Sequence, residues 1–401
     1  MVTTHCFLCN ATNLSKVIDL GFHPLADTFL KPEQLEGPET RYPLTGVLCE
    51  TCGHLMNGYI VPATARYQEN EYSYDSSNSK VSIAHFGEFA QEATKIVGIG
   101  ADDMVVDVGS NVGTFLQQFK DVAGCKVTGV EPSHNIAELA TQNGIATVEN
   151  FFNAEAVTEI TKTQKVKLIT GTNVYNHIED QKAFAENAVN LLTDDGMIAI
   201  ETPYAGTLID ETLFDTMYLE HVSYFFVDPL KKFWDQYGFK ICHIALNEYM
   251  GGSMRFYLSR QKPEAPEIAG MIADEAKKEY AKPESYKAFM QRAKDFKTSL
   301  MHDLYRIKSE GGVVIGIGAA TKGNTLLNYC GIDNTLLEFV TDASPLKVGK
   351  ITPGSHIPIK HDQDIDKTIT HGLILPWNIG KFLSEKLAPL GIEFLIPQLK
   401  K

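Results

Sequence analysis

The chain has 401 residues, too many for one hydrophobic core and enough for two or three domains. Its composition, 44% hydrophobic and 21% charged, is that of a globular protein, and no apolar run reaches the length of a membrane span. Asp and Glu number 50 against 36 Lys and Arg, a net charge of −14 that argues against a nucleic-acid partner, whose phosphates would be repelled.

The N-terminus, Met1-Val-Thr-Thr-His-Cys6, has no basic stretch followed by an apolar run, so no secretory signal is visible and a cytoplasmic protein is expected. Cys6-Phe-Leu-Cys9 and Cys49-Glu-Thr-Cys52 form two Cys-x-x-Cys knuckles with 39 residues between them. In a reducing compartment such pairs point to a metal rather than to disulfides. Two knuckles supply the four thiolates of a tetrahedral, structural zinc site, with no position left for catalysis. A thioredoxin-like redox pair is the competing reading, but neither knuckle opens a helix after a strand. Cys125, Cys242 and Cys330 are scattered and read as small core residues. Residues 1–70 show no long periodic segment, and a domain this small needs a metal staple.

A polar connector with Tyr72 and Tyr74 follows, then a helix over about 80–97. From 104 to 260 strands and helices alternate. Strands are expected at 104–108, 126–130, 146–149, 167–171, 197–201, 240–246 and 254–259. That rhythm predicts a mainly parallel sheet covered on both faces. The entry segment is Val105-Val-Asp-Val-Gly-Ser-Asn-Val-Gly-Thr-Phe115, a buried strand, a glycine turn and a helix start. Glu131 ends the next strand, where an acid can hold ribose hydroxyls. The turn is Asp107-x-Gly109-x-Asn111-x-Gly113 rather than Gly-x-Gly-x-x-Gly. It resembles the first motif of class I S-adenosylmethionine methyltransferases, whose cofactor has no pyrophosphate to cradle. Residues 263–308 are polar and helix-prone, broken at Pro283. Then Gly312-Val-Val-Ile-Gly-Ile-Gly318 restarts an α/β pattern, with further strands at 337–341, 372–375 and 393–396. Lys322 at the following helix start suits an anion such as a diphosphate.

In this order the pieces resemble the sugar C-methyltransferase family, which methylates nucleotide-linked 4-keto-deoxysugars. The resemblance covers essentially the whole chain. It rests on the zinc knuckles, Tyr72-Ser-Tyr74-Asp-Ser-Ser77, Asp107–Gly113, Asn173-Val-Tyr-Asn-His177, Tyr218-Leu-Glu-His-Val-Ser-Tyr224, Gly318-Ala-Ala-Thr-Lys-Gly-Asn-Thr325 and Thr341-Asp-Ala-Ser-Pro-Leu-Lys-Val-Gly349. One position departs: the family often carries an apolar residue or proline where this chain has Thr321.

The resemblance implies an α/β chain of three domains. These are a zinc-binding domain (1–70), a class I methyltransferase Rossmann-like domain (71–262), and a helical connector with a smaller Rossmann-like, nucleotide-sugar-binding domain (263–401). It implies S-adenosylmethionine and zinc as cofactors, and methylation at carbon 3 through an enolate. That chemistry needs a base for the carbon 3 proton and donors for the enolate oxygen. His221, in Tyr218-x-Glu220-His221, is the expected base, since an imidazole titrates near ~6.5. His177 is expected at the ketone oxygen. Glu220, Tyr218, Tyr72 and Tyr74 complete the catalytic candidates. For the cofactor the candidates are Asp107, Gly109, Asn111, Gly113, Glu131 (ribose), Asn150 and Phe151 (adenine) and Asn173 (methionine moiety). Lys322, Asn324 and Lys347 are candidates for the substrate's thymidine or guanosine diphosphate. A monomer is expected, with neither nucleic acid nor membrane as partner. The competing functions are an O- or N-methyltransferase of the same fold, a non-catalytic cofactor-binding regulator, and a nicotinamide sugar oxidoreductase. The absent Gly-x-Gly-x-x-Gly counts against the last.

Overall fold

The computed structural model describes residues 1–69, 72–397 and 399. The expected boundary between the first two domains falls on Asn70 and Glu71, outside the described residues, as do Gln398, Lys400 and Lys401.

The N-terminal segment is more ordered than its sequence suggests. Strands β1 (Leu14–His23), β2 (Tyr42–Cys49) and β3 (Leu55–Asn57) form an antiparallel sheet. The cysteine knuckles lie before β1 and at the turn from β2 to β3.

The central sheet is built from β4 (Met104–Val108), β5 (Lys126–Val130), β6 (Thr147–Val148), β7 (Val166–Thr172) and β8 (Leu192–Pro203). Next comes β9 (Ser223–Tyr224), which leaves this sheet and pairs with β3. Strands β10 (Lys240–Asn247) and β11 (Ser253–Ser259) return to it. The order is β10-β11-β8-β7-β4-β5-β6, and only β11 runs against its neighbours. All five residues of β4 are buried, as expected of a central strand covered on both faces.

The helix Lys80–Val97 covers one face. Ser79 caps it by accepting from the Ser82 N–H, and Gly98 ends it in the left-handed conformation. Its Phe86 and Phe89 pack against Phe115 of the helix Thr114–Ala123, with ring centroids 5.3 and 4.9 Å apart. The polar stretch forms two helices, Glu267–Lys277 and Ser285–Ser309, with Pro283 between them.

The last sheet is wholly parallel. Its strands are β12 (Val314–Ile317), β13 (Val340–Asp342), β14 (Ile359–His361), β15 (His371–Ile374) and β16 (Glu393–Leu395), in the order β14-β13-β12-β15-β16. It is doubly wound, as is the central sheet. Such sheets place ligands at the carboxyl ends of their strands, where the winding reverses. Among the described residues, no helix is long and apolar enough to cross a membrane.

Candidate active site

The four knuckle cysteines converge. Their sulfurs all lie within 4.8 Å of one another, with Cys6–Cys52 and Cys9–Cys49 each at 3.6 Å. Zn–S bonds of about 2.3 Å in a tetrahedron put sulfurs about 3.8 Å apart, so the four thiols fit zinc closely. Thiols this close compete for charge. The hydrogen bond from Cys52 lowers Cys6 to about 5, and Cys52 itself is driven up by that same contact. A divalent ion removes the conflict by holding all four as thiolates.

A cavity of about 1610 Å³ runs along the carboxyl ends of both doubly wound sheets. Its central part is built on the turn after β4. Gly109 and Gly113 have φ of 64° and 83°, and a Cβ on them would meet Val174 and Ile145 side chains at 2.5 Å. Glycine is needed there for both conformation and space. Glu131 accepts from the Asn111 N–H at 3.1 Å and the Ser133 N–H at 2.9 Å, which fixes its carboxylate at the cavity wall. Burial raises its pKa and pushes Asp107, bonded to the Thr170 hydroxyl at 2.7 Å, up to about 7. Asn173 also lines the cavity, and its buried Oδ1 has no partner among the described residues. A ribose diol at Glu131 and an ammonium at Asn173 would satisfy these acceptors, so the residues fit S-adenosylmethionine.

Two cofactor candidates use their side chains elsewhere. The Asn111 side chain accepts from the Ser76 N–H and donates to the Tyr74 carbonyl, both at 2.9 Å, so it fastens the connector over the turn. The Asn150 Oδ1 is used by its own turn, accepting from the Phe151 N–H and the Asn153 amide. Phe151 lines the cavity half-buried, its ring free of that turn's hydrogen bonds.

Two histidines meet beside this region. His177, on the turn Tyr175–His177, meets His221 edge to face with ring centroids 4.8 Å apart. The His221 Nδ1 lies 2.7 Å from the Thr216 carbonyl oxygen. A carbonyl only accepts, so Nδ1 carries the proton and Nε2 the lone pair. The His177 Nδ1 bonds the Tyr67 hydroxyl. The Arg66 guanidinium lies over the Tyr67 ring, 5.3 Å from its centroid. Donation from that hydroxyl to Nδ1 would leave the His177 proton on Nε2. Burial holds both rings neutral: His177 falls to about 3, with Arg66 adding to the effect, and His221 falls well below its usual value. Tyr218 stacks on His221 at 3.7 Å.

Tyr72 and Tyr74 both line the cavity. The Tyr72 hydroxyl lies 3.5 Å from Asp27 Oδ2, and burial pushes Tyr74 up to about 12. Glu220 is not among the lining residues. Its Oε1 accepts from the Asp27 N–H at 3.0 Å, and burial beside the Asp27 carboxylate pushes it up to about 8. Glu220 thus fixes the Asp27 loop rather than facing the cavity, as adjacent residues pointing apart would require. Asn324 is also turned away: it is buried and donates to the Ala26 carbonyl at 2.7 Å. Lys322 and Lys347 do line the cavity. The Lys322 Nζ donates to the Met250 carbonyl and the Lys347 Nζ to the Ala319 carbonyl, each at 2.7 Å.

Sequence reasoning missed Asp27, Arg66 and Tyr67, which all line the cavity. Arg66 is buried and ties the two histidine segments together by donating to the backbone carbonyls of His177 and Glu220. Thr321, the departure from the family pattern, donates its hydroxyl to Asp27. The two residues answer each other across the chain, a pairing no local pattern announces.

Three family descriptions match in succession: "Putative zinc binding domain" over residues 6–67, "Methyltransferase domain" over 83–244 and "C-methyltransferase C-terminal domain" over 248–397. The C-methyltransferase NovU of Streptomyces niveus is 30% identical over 400 residues, covering 98% of this chain and 94% of that protein. Among solved structures, the magnesium protoporphyrin IX methyltransferase ChlM of Synechocystis, with bound SAM, is 13% identical. That match covers 45% of this chain and 82% of ChlM, at a TM-score of 0.33. The plantazolicin methyltransferase BpumL, in complex with SAH, is 12% identical over 46% of this chain and 87% of its own, at a TM-score of 0.38.

Proposed function

Because the chain belongs to the C-methyltransferase family, we propose that it methylates carbon 3 of a nucleotide-linked 4-keto-6-deoxysugar through an enolate. The observation that carries this reading is the pair of neighbouring imidazoles, both held neutral, on the wall that also holds Glu131. Enolisation asks for one acceptor of a proton and one donor to the ketone oxygen, a few ångströms apart. His221 Nε2 is the acceptor and His177 Nε2–H the donor.

S-adenosylmethionine supplies an electrophilic methyl group on a sulfonium. The protein's part is to hold the two reactants in line and move one proton. Glu131 holds the ribose hydroxyls, and Asn173 Oδ1 accepts from the amino group. His221 takes the carbon 3 proton at Nε2, while its Nδ1–H stays on the Thr216 carbonyl and keeps the ring oriented. His177 donates to the oxygen as negative charge gathers there. Tyr218 covers one face of the His221 ring and keeps water from it.

The test is a turnover assay with S-adenosylmethionine and 4-keto-6-deoxyglucose linked to thymidine or guanosine diphosphate. The product should gain one methyl that stays on the sugar skeleton after acid hydrolysis. A methyl released by hydrolysis would favour O-methylation instead. No methyl transfer to either nucleotide-linked ketosugar would refute the substrate class.

A further inference from the structure

The two doubly wound units repeat one hydrogen-bonded device. In the central unit, Gly109 follows the first strand with φ of 64° and donates its N–H to the Val130 carbonyl at 2.8 Å. The next residue after Val130 is Glu131, whose carboxylate accepts from Asn111 N–H in the glycine turn and from Ser133 N–H two residues on. In the C-terminal unit, Gly318 follows the first strand with φ of 80° and donates its N–H to the Thr341 carbonyl at 2.8 Å. The next residue is Asp342. It accepts from Ala319 N–H in the glycine turn at 2.9 Å and from Ser344 N–H two residues on at 2.8 Å.

Both acids end the second strand of their unit, next to the strand that leads into the glycine turn. Both line the same cavity. Each carboxylate oxygen spends one acceptor position on the backbone and keeps another for a ligand. At Glu131 that leaves room for a pentose hydroxyl, and the same frame leaves the same room at Asp342.

The surroundings of Asp342 suit the rest of a nucleotide. The Lys347 Nζ stands 4.0 Å from Asp342 Oδ2, anchored on the Ala319 carbonyl, and sets a cation beside the glycine turn for a phosphate. The same unit lends the cavity Ile379, Phe382 and Leu383. Phe382 is 53% exposed, an aromatic face on which a base can stack.

We propose that Asp342 holds the pentose 3′-hydroxyl of the substrate's nucleoside diphosphate, as the counterpart of Glu131 for the cofactor. The 3′-hydroxyl is the one that ribose and 2′-deoxyribose share, so the device serves either kind of nucleotide. This inference rests on the nucleotide-sugar reading above.

The test is calorimetric titration of the full chain, saturated with S-adenosylhomocysteine. The ligands are thymidine, guanosine, uridine and cytidine diphosphates, with the 3′-deoxy form of each nucleotide that binds. The 3′-deoxy form should bind about 10–100-fold more weakly, the worth of a hydrogen bond to a charged group. In Asp342→Asn the parent should weaken and the gap to its 3′-deoxy form should close, with the affinity for S-adenosylhomocysteine unchanged. If the wild type binds both forms alike, or the variant keeps the gap, the role of Asp342 is overturned and the nucleotide-sugar reading stands. If no nucleoside diphosphate binds the wild type, both fall together. The wild-type comparison decides the matter even where the variant fails to fold.

Discussion

The rings of His177 and His221 meet edge to face with centroids 4.8 Å apart, and each ring has its own outer partner. The Thr216 carbonyl holds the His221 proton on Nδ1, and the His177 Nδ1 bonds the Tyr67 hydroxyl. In the proposed mechanism a Tyr67 hydroxyl that donates to His177 makes these two like side chains an acid and a base.

His221→Asn should keep the binding of cofactor and sugar nucleotide, because neither ligand needs the imidazole's charge. Turnover should fall about 10²–10⁴-fold, the usual worth of a positioned general base. Exchange of the carbon 3 hydrogen with solvent deuterium should fall in parallel. A variant that exchanges normally but does not methylate would give His221 a positioning role and pass the base to Tyr218, Tyr72 or Tyr74.

The pH dependence should be flat where an exposed histidine would bend it. Burial and the neighbouring His177 hold His221 well below its usual value. To lose activity the base must gain a proton, and lowered proton affinity moves that loss to more acid pH. The profile of kcat/KM should therefore show no acid limb near pH ~6.5, the value for a free imidazole. Stability should show what activity does not. The pKa of His177 is about 3 when folded, so the unfolded chain binds more protons between that value and its own, near ~6.5. The stabilisation is complete above that window and is lost as pH falls through it, which a urea midpoint measured at successive pH values will follow.

The central sheet was legible because its strands and helices alternate with clear apolar runs. The N-terminal sheet was not. Strand β1 carries Lys16, Asp19 and Gly21, breaks register twice against β2, and leaves Phe22 65% exposed, so it shows no clean alternation. Strand β9 is two residues long and pairs with β3, from a distant part of the sequence. The same cause hid Asp27, Arg66 and Tyr67. They come from segments without periodicity, and only tertiary contact brings them to the histidines. Glu220 and Asn324 illustrate the converse. Both sit inside recognisable motifs, yet their side chains bind the loop that contains Ala26 and Asp27. A motif marks the neighbourhood of a site without saying which side chain faces the ligand.

Cys49→Ser should lose zinc and lower both soluble yield and melting temperature. The N-terminal sheet is small, and metal-binding energy in such a domain is folding energy. Its third strand also carries β9, which follows directly on His221 and Val222, so the damage should reach the active site. Metal analysis and thermal melting check this together. A zinc-free variant as stable as the wild type would remove the structural role.

Tyr67→Phe tests whether the tautomer of His177 matters. The substitution removes one hydroxyl and keeps the ring that packs edge-on against Tyr72 at 5.6 Å. Without the hydroxyl, nothing holds the His177 proton on Nε2, and the ring can present its lone pair to the ketone oxygen instead. Turnover should fall by about tenfold or more, the loss expected when one donor to a developing oxyanion is misdirected. KM for the sugar nucleotide and the affinity for S-adenosylhomocysteine should hold, because the ring and the backbone around it are unchanged. Deuterium exchange at carbon 3 should slow with turnover, since the donor assists enolisation itself. The nitrogen-15 shifts of His177 give an independent reading: Nε2 should be the protonated nitrogen in the wild type and lose that preference in the variant. Unchanged shifts with unchanged turnover would leave Tyr67 a packing residue and return the orientation of His177 to the Arg66 contact on its backbone carbonyl.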